Sequence, residues 1–305
     1  MFGALINKGL QSMRGFTIRS RRGAVTAAMV RKLVLVCIVL LTVVVVAQGC
    51  ADNLVLWANH ESIDPGKARR KTIRVDGRNV ECWIIRSPGA ANREPQAFVL
   101  FFVGKGDRAD RWIGAVANAW GERPVELWGM NYPGSGGSEG PPRLAAVGPD
   151  ALATYDALKQ VAGSRPIFVY AGSFGTTAAL CVAARRPVDG LFLQNPAPLR
   201  QLILGYYGWW NLWLFAGPVA MQLPTDLDAV DNAAHSKAPA VFVMAGADQV
   251  IPPPYHRMVS DAYAGPKRII DNPGARHDDP LTREAAQQFH EGIEWIWTMS
   301  VAAGR

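Results

Sequence analysis

The chain predicts an α/β fold: a mostly parallel, mixed central sheet with helices on both faces. Three observations carry this reading. Short continuous apolar runs alternate with stretches of helical period, the pattern of strand–helix–strand units. The apolar runs lack the in–out alternation of a half-exposed strand, so both their faces are covered. A pair of alternating strands around Asp76-Gly77 precedes them as an antiparallel hairpin, which makes the sheet mixed.

The elements follow in order. "KTIRVDGRNVECWIIR" is the hairpin. The covered strands are "AFVLFFV" (97–103), "VELWGMN" (125–131), "PIFVYA" (166–171), "GLFLQN" (190–195), "PAVFVMAG" (239–246) and "KRIID" (267–271). Between them the helices fall at 110–120, 149–162, 174–185, 253–264 and 281–299. In "DALATYDALKQVA" the apolar residues Leu152, Tyr155, Leu158 and Val161 recur at helical spacing. One interval, 196–237, has no clear strand and holds "GYYGWWNLWLFAGP". It reads as an aromatic-rich cap inserted over one end of the sheet. Its aromatics suit core packing, an acyl pocket or contact with a membrane.

The first 49 residues form a leader. Arg31 and Lys32 precede an uncharged apolar run, Leu33 to Ala47, of signal-core length and short of the ~20 residues a membrane span needs. The run ends in "AQGC", which resembles a bacterial lipoprotein processing site with Cys50 as the lipidated residue. An ordinary cleavage nearby and an uncleaved anchor are the alternatives. Met29 is a natural start for such a signal, with 1–28 an upstream extension; the twin arginines of "SRRGAV" suggest a twin-arginine route only weakly. Residues 50–70 read as a tether, and 71–305 as the folded domain. The expected location is the cell envelope, facing the periplasm and attached to a membrane through the N-terminus.

Charge distribution excludes nucleic acid as a partner. The formal charge is +7, but residues 1–49 carry seven Lys or Arg and no acid, while the rest carries 25 of each sign. Beyond the leader only Cys82 and Cys181 remain, and sequence leaves open whether they pair. No Cys/His spacing suits a metal. "GKG" (104–106) lacks the spacing of a phosphate loop, and in "YPGSGGSEG" Glu139 occupies the third glycine position of a dinucleotide fingerprint. No cofactor is implied.

Open parallel sheets place their sites at the carboxyl ends of strands. Gly172-Ser173-Phe174-Gly175 follows one strand, Ala247-Asp248 another, and a loop holding His277 a third. Serine needs a neighbouring base to become a nucleophile. His277 is the candidate base, and Asp248 the group that orients it. The bland readings are an N-cap for Ser173, an N-cap for Asp248 and a surface-loop histidine for His277. Asp228 and Asp231 are rival acids but precede the strand; His60, His235, His256 and His290 receive no role.

The order Ser, Asp, His at strand ends resembles that of the alpha/beta-hydrolase superfamily. The resemblance spans residues 70–300 and includes the Gly-rich "NYPGSGGSEG", the acid segment "AGADQVIPP" and the histidine loop "GARHDDP". It implies catalytic Ser173, Asp248 and His277. It also implies an oxyanion hole made by the backbone N–H groups of Phe174 and Lys105. The usual Gly-x-Ser-x-Gly signature has Ala171 as its first letter. The implied function is a serine hydrolase acting on a small ester, thioester or amide with an apolar acyl or aryl group. A non-catalytic envelope protein that uses the cap to bind a lipid or protein partner is the alternative.

Overall fold

A computed structural model of the chain describes residues 21–48, 50–211 and 213–302. Most of the upstream extension and Gly49 of "AQGC" lie outside the described residues. The N-terminal helix α1 (Arg21–Gln48) is a unit of its own. Its stretch Thr26–Val46, 21 residues, is long and apolar enough to cross a membrane by length and composition. It exceeds the 33–47 run because flanking Thr26–Val30 and the pair Arg31 and Lys32 continue the same helix.

The folded body holds eight strands: β1 (Arg69–Val75), β2 (Arg78–Arg86), β3 (Ala97–Phe102), β4 (Val125–Met130), β5 (Ile167–Gly172), β6 (Gly190–Gln194), β7 (Ala240–Ala245) and β8 (Lys267–Asn272). They form one sheet in the order β1-β2-β4-β3-β5-β6-β7-β8. β2 pairs antiparallel with β1 and β4, and every other pairing is parallel. Asp76 and Gly77 both take positive φ, 47° and 78°, as a tight two-residue hairpin turn requires. Every residue of β3, β4 and β7 is buried, which explains why these runs lack an in–out alternation; the one charge among them, Glu126 of β4, pairs with Arg86 at 3.2 Å and accepts the Trp128 indole N–H at 3.0 Å.

Helices α3 (Ala109–Ala119), α4 (Leu144–Ala162), α5 (Gly175–Arg185), α9 (Pro253–Ala262) and α10 (Arg283–Trp297) connect or flank the strands. Between β6 and β7 the chain forms α6 (Leu199–Gly205), a 3-10 turn at Trp209–Asn211, α7 (Ala216–Met221), a second 3-10 turn at Thr225–Leu227, and α8 (Ala229–His235).

Two boundaries differ from the sequence expectation for one reason. Helix α4 starts at Leu144, ahead of Pro149, and the stretch read as a tether is not free chain. Residues Ala51–Val55 form the short helix α2, with Ala51 and Leu56 buried. Asp52 Oδ1 accepts the Leu144 N–H at 2.7 Å. A carboxylate from a segment distant in sequence thus caps the otherwise unpaired first turn of α4.

Chain direction across the sheet reverses at β3, which lies between β4 and β5. Crevices at the carboxyl ends of strands open at such a switch point. The loops after β3 and β5 meet there.

Candidate active site

Ser173 sits in the turn between β5 and α5 with φ 51°, a left-handed conformation that is uncommon for a residue with a side chain. The turn is held from several sides. The Ser173 N–H donates to the Gln194 carbonyl at 2.8 Å, tying it to β6. The Thr176 and Thr177 hydroxyls donate to the carbonyls of Ser173 and Phe174 at 2.6 and 2.8 Å. Gly175 is obligatory: a Cβ there would lie 2.4 Å from the Phe102 carbonyl oxygen. Ala171 is different. It is the fifth residue of β5, paired with Phe102 and Leu193, and its methyl is fully buried in the sheet core.

The three residues that end up far apart in sequence converge. His277 Nε2 lies 2.9 Å from Ser173 Oγ, and His277 Nδ1 lies 2.6 Å from Asp248 Oδ2. With a proton on Nδ1 facing the carboxylate, Nε2 is left to accept the serine proton. Asp248 is only 4% exposed. Its other oxygen, Oδ1, accepts the N–H groups of Val250 and Ile251 at 2.8 and 2.9 Å. Burial alone pushes the Asp248 pKa up. Contacts with His256 and His277 and the Ile251 N–H outweigh it and hold the carboxyl well below the usual carboxylate range. Asp248 does not cap α9. The rival Asp228 does cap a helix: its side chain accepts from Val230 and Asp231 at the start of α8.

Two residues of this site escaped the sequence reading. His256 on α9 is fully buried, and its Nε2 approaches Asp248 Oδ2 to 3.1 Å, off the line of a well-aligned hydrogen bond. Asn195, at the end of β6 with φ 48°, donates from Nδ2 to the His277 carbonyl at 2.9 Å and accepts the Ala245 N–H at 2.9 Å. It locks the histidine loop to β7. Within that loop Asp279 accepts the Arg276 N–H at 2.8 Å and pairs with its guanidinium. The one hint in the sequence for Asn195 is an asparagine at the end of a covered strand, a residue type that tolerates positive φ better than most.

The two N–H groups expected to form an anion hole lie on the loops that meet at the switch point. Neither Phe174 nor Lys105 donates its backbone N–H to any acceptor among the described residues. Tyr132 joins the two loops: its hydroxyl donates to the Val103 carbonyl at 2.8 Å, and its ring meets the Phe174 ring edge-on at 5.2 Å between centroids. The Gly-rich segment after β4 is tied to β2 and to the start of α3. Glu81 Oε2 accepts the Gly137 N–H and the Asn131 amide, each at 2.8 Å, and Asn131 Oδ1 accepts the Ala109 N–H at 2.7 Å. The Lys105 ammonium lies 4.3 Å from the Trp57 ring centroid, and burial pushes its pKa down.

A cavity of about 340 Å³ opens beside Ser173 and is lined almost wholly by apolar groups. Leu199, Leu202, Ile203, Phe215 and Val219 come from the insertion, Ile251 from the acid loop, and Leu54 and Val55 from the N-terminal segment. Cys82 and Cys181 are both buried and both free, so the question of their pairing is answered: they do not. Cys50 is partly exposed at the start of α2.

No protein-family model matches the chain. An uncharacterised protein of Mycobacterium tuberculosis, found in strains H37Rv and CDC 1551, is 28% identical over 154 residues, 50% of this chain and 52% of its own length. The chain thus spans about half the length of the curated relatives it matches. Among solved structures, a cold-adapted esterase from an Arctic intertidal metagenomic library superposes with TM-score 0.56 at 21% identity, over 77% of this chain and 99% of that one. Est1E from Butyrivibrio proteoclasticus gives TM-score 0.56 at 17% identity, over 74% and 99%. A bacterial membrane phospholipase A gives 0.52 at 17% identity, over 90% and 97%. Sheet order, the sharp turn at Ser173 and these neighbours agree: the chain has the alpha/beta-hydrolase fold.

Proposed function

We propose that the protein is a serine hydrolase that cleaves an ester, thioester or amide through an acyl-enzyme, with preference for an apolar acyl or aryl group. One observation carries the reading: Ser173, His277 and Asp248 stand in a hydrogen-bonded line that ends, at Ser173, in the wall of an apolar cavity. Ser173 Oγ attacks the carbonyl carbon while its proton passes to His277 Nε2. Charge on the carbonyl oxygen is met by the N–H groups of Phe174 and Lys105, a contribution of ~3 kcal/mol per donor. The C–O, C–S or C–N bond then breaks as His277 returns the proton to the leaving group. Water, deprotonated by the same nitrogen, attacks the acyl-serine and releases the acid. Asp248 holds the imidazole tautomer and offsets the positive charge that forms on the ring.

The esterases among the structural neighbours support the reaction class, and the apolar lining of the cavity supports the acyl preference. The apolar α1 supports attachment at a cell envelope, either as an uncleaved anchor or through processing with lipidation at Cys50. Cys50→Ala then releases the protein from membranes only in the second case, and absence of labelled fatty acid in the wild type removes that case.

The test is a panel of aryl esters of increasing acyl length, offered to the wild type and to Ser173→Ala. Turnover by the wild type and its loss in the variant support the hydrolase. Equal background rates for both proteins, with binding of the acyl chain retained, support the non-catalytic alternative.

A further inference from the structure

The insertion between β6 and β7 shows water an unusual surface. From Gln201 to Thr225 no residue is charged. Trp209 and Trp210 are 63% and 68% exposed, and Met221 is 81% exposed. Trp213, Leu214 and Tyr207 add to the same uncharged stretch, each at least two-fifths exposed. Soluble surfaces seldom present so many large apolar groups together, and such patches mark contact sites. Tryptophan and tyrosine flanked by aliphatic residues, without charge, suit the boundary between lipid headgroups and acyl chains.

A second, independent observation says what covers this surface. The cavity beside Ser173 is lined by Ile203, Tyr207 and Trp210 from the insertion and by Leu54 and Val55 from the N-terminal segment. The aromatic rim and the N-terminal segment therefore border one opening. The apolar stretch of α1 ends at Val46. Eight residues reach at most ~28 Å, so an uncleaved anchor keeps Leu54 within that distance of the membrane. Lipid on Cys50 keeps it closer, because Ala51–Val55 is helical and rises only ~1.5 Å per residue. Either attachment keeps the opening, and the uncharged stretch beside it, within reach of the lipid surface.

We propose that the rim carrying Trp209 and Trp210 lies on a lipid bilayer, and that the Ser173 cavity takes its acyl substrate directly from that bilayer. The second half rests on the hydrolase reading above; the first does not. Membrane-resident acyl esters would enter chain-first between the two borders of the opening without crossing water.

The full chain, reconstituted into phosphatidylcholine vesicles with acyl chains brominated near the headgroup, tests this. The first 56 residues contain no tryptophan, so quenching of tryptophan fluorescence reports on the folded body and not on α1. Bromine should quench the wild type, and Trp209→Phe should lose part of that quenching. Trp209→Gln should keep fluorophosphonate labelling and hydrolysis of a soluble short-chain aryl ester. It should cut hydrolysis of a long-chain acyl ester dispersed in vesicles roughly fivefold, the effect of ~1 kcal/mol. No quenching of the wild type overturns the proposal, as does a rim found cross-linked to a second copy of the chain in vesicles. Equal wild-type and Trp209→Gln rates on vesicle substrate overturn direct uptake from the bilayer. Quenching without any labelling or turnover supports the bilayer contact and instead removes the hydrolase reading.

Discussion

His256 Nε2 lies 3.1 Å from the same Asp248 oxygen that faces His277 at 2.6 Å. The carboxylate is therefore shared by two imidazoles, one that bonds Ser173 through its other nitrogen and one with its side chain fully buried in α9. A carboxylate in this position is pinned against rotation, and its ionised form is favoured over what burial alone would allow.

Replacing His256 by Phe should leave one flank of a buried carboxylate bare. The expected cost at pH 7 is about 1.5–3 kcal/mol of stability. Activity on an aryl ester should fall about tenfold in kcat with little change in KM, since the residue acts through Asp248 and touches no substrate. His256→Gln, which keeps a donor, should recover most of both. The pH dependence has a definite sign. Because the folded-state pKa of Asp248 is depressed, its contribution to stability is complete above ~pH 4 and is lost as pH falls below that. The gap in Tm between wild type and His256→Phe should narrow on acidification from pH 7 to pH 3.

The two small residues flanking Ser173 should answer differently to substitution. Gly175→Ala puts a methyl 2.4 Å from a backbone oxygen of β3, so the turn must distort. Loss of activity by at least ~100-fold is expected, the scale of a lost anion-hole donor. Ala171→Gly restores the usual signature yet should gain nothing in rate. It should lose ~1–2 kcal/mol of stability, from one buried methyl and from added backbone freedom in the strand. Denaturant titration with parallel rate measurements separates the two.

The apolar lining of the cavity sets a chain-length rule. Each acyl methylene that enters is worth ~0.8 kcal/mol, so kcat/KM should rise roughly fourfold per carbon until the cavity is full. Val219→Trp fills part of that space and should move the break in the series to a shorter chain, with acetyl ester turnover little changed. A flat series in the wild type speaks against acyl binding in this cavity.

Both body cysteines should be inert in the native state. Burial pushes the Cys82 thiol up to about 12 and the Cys181 thiol up to about 11. Native protein carrying Cys50→Ala and Cys37→Ala should show no fast reaction with a thiol reagent at pH 8, and two thiols once unfolded.

The fold was readable because each covered strand ends in a short punctuated turn, and because Ser173, Asp248 and His277 each follow a different strand. What sequence leaves hidden are contacts between elements far apart in the chain. The start of α4 depends on Asp52, some ninety residues earlier, and a five-residue helix such as α2 is too short for periodicity to register. His256 falls within an ordinary amphipathic helix, where a lone histidine is more often inert. Only the folding of α9 back against the acid loop gives it a partner. Helix α1 runs well beyond the uncharged 33–47 stretch because Arg31 and Lys32 interrupt the apolar character and not the helix propensity.

The central claim is that Ser173 is a nucleophile activated by His277 and Asp248. Intact-mass and peptide-mass analysis after exposure to a fluorophosphonate at neutral pH tests it most directly. A single adduct is expected on the peptide containing Ser173, absent in Ser173→Ala and strongly slowed in His277→Ala. Folded wild-type protein that forms no adduct, or one located on another residue, would contradict it.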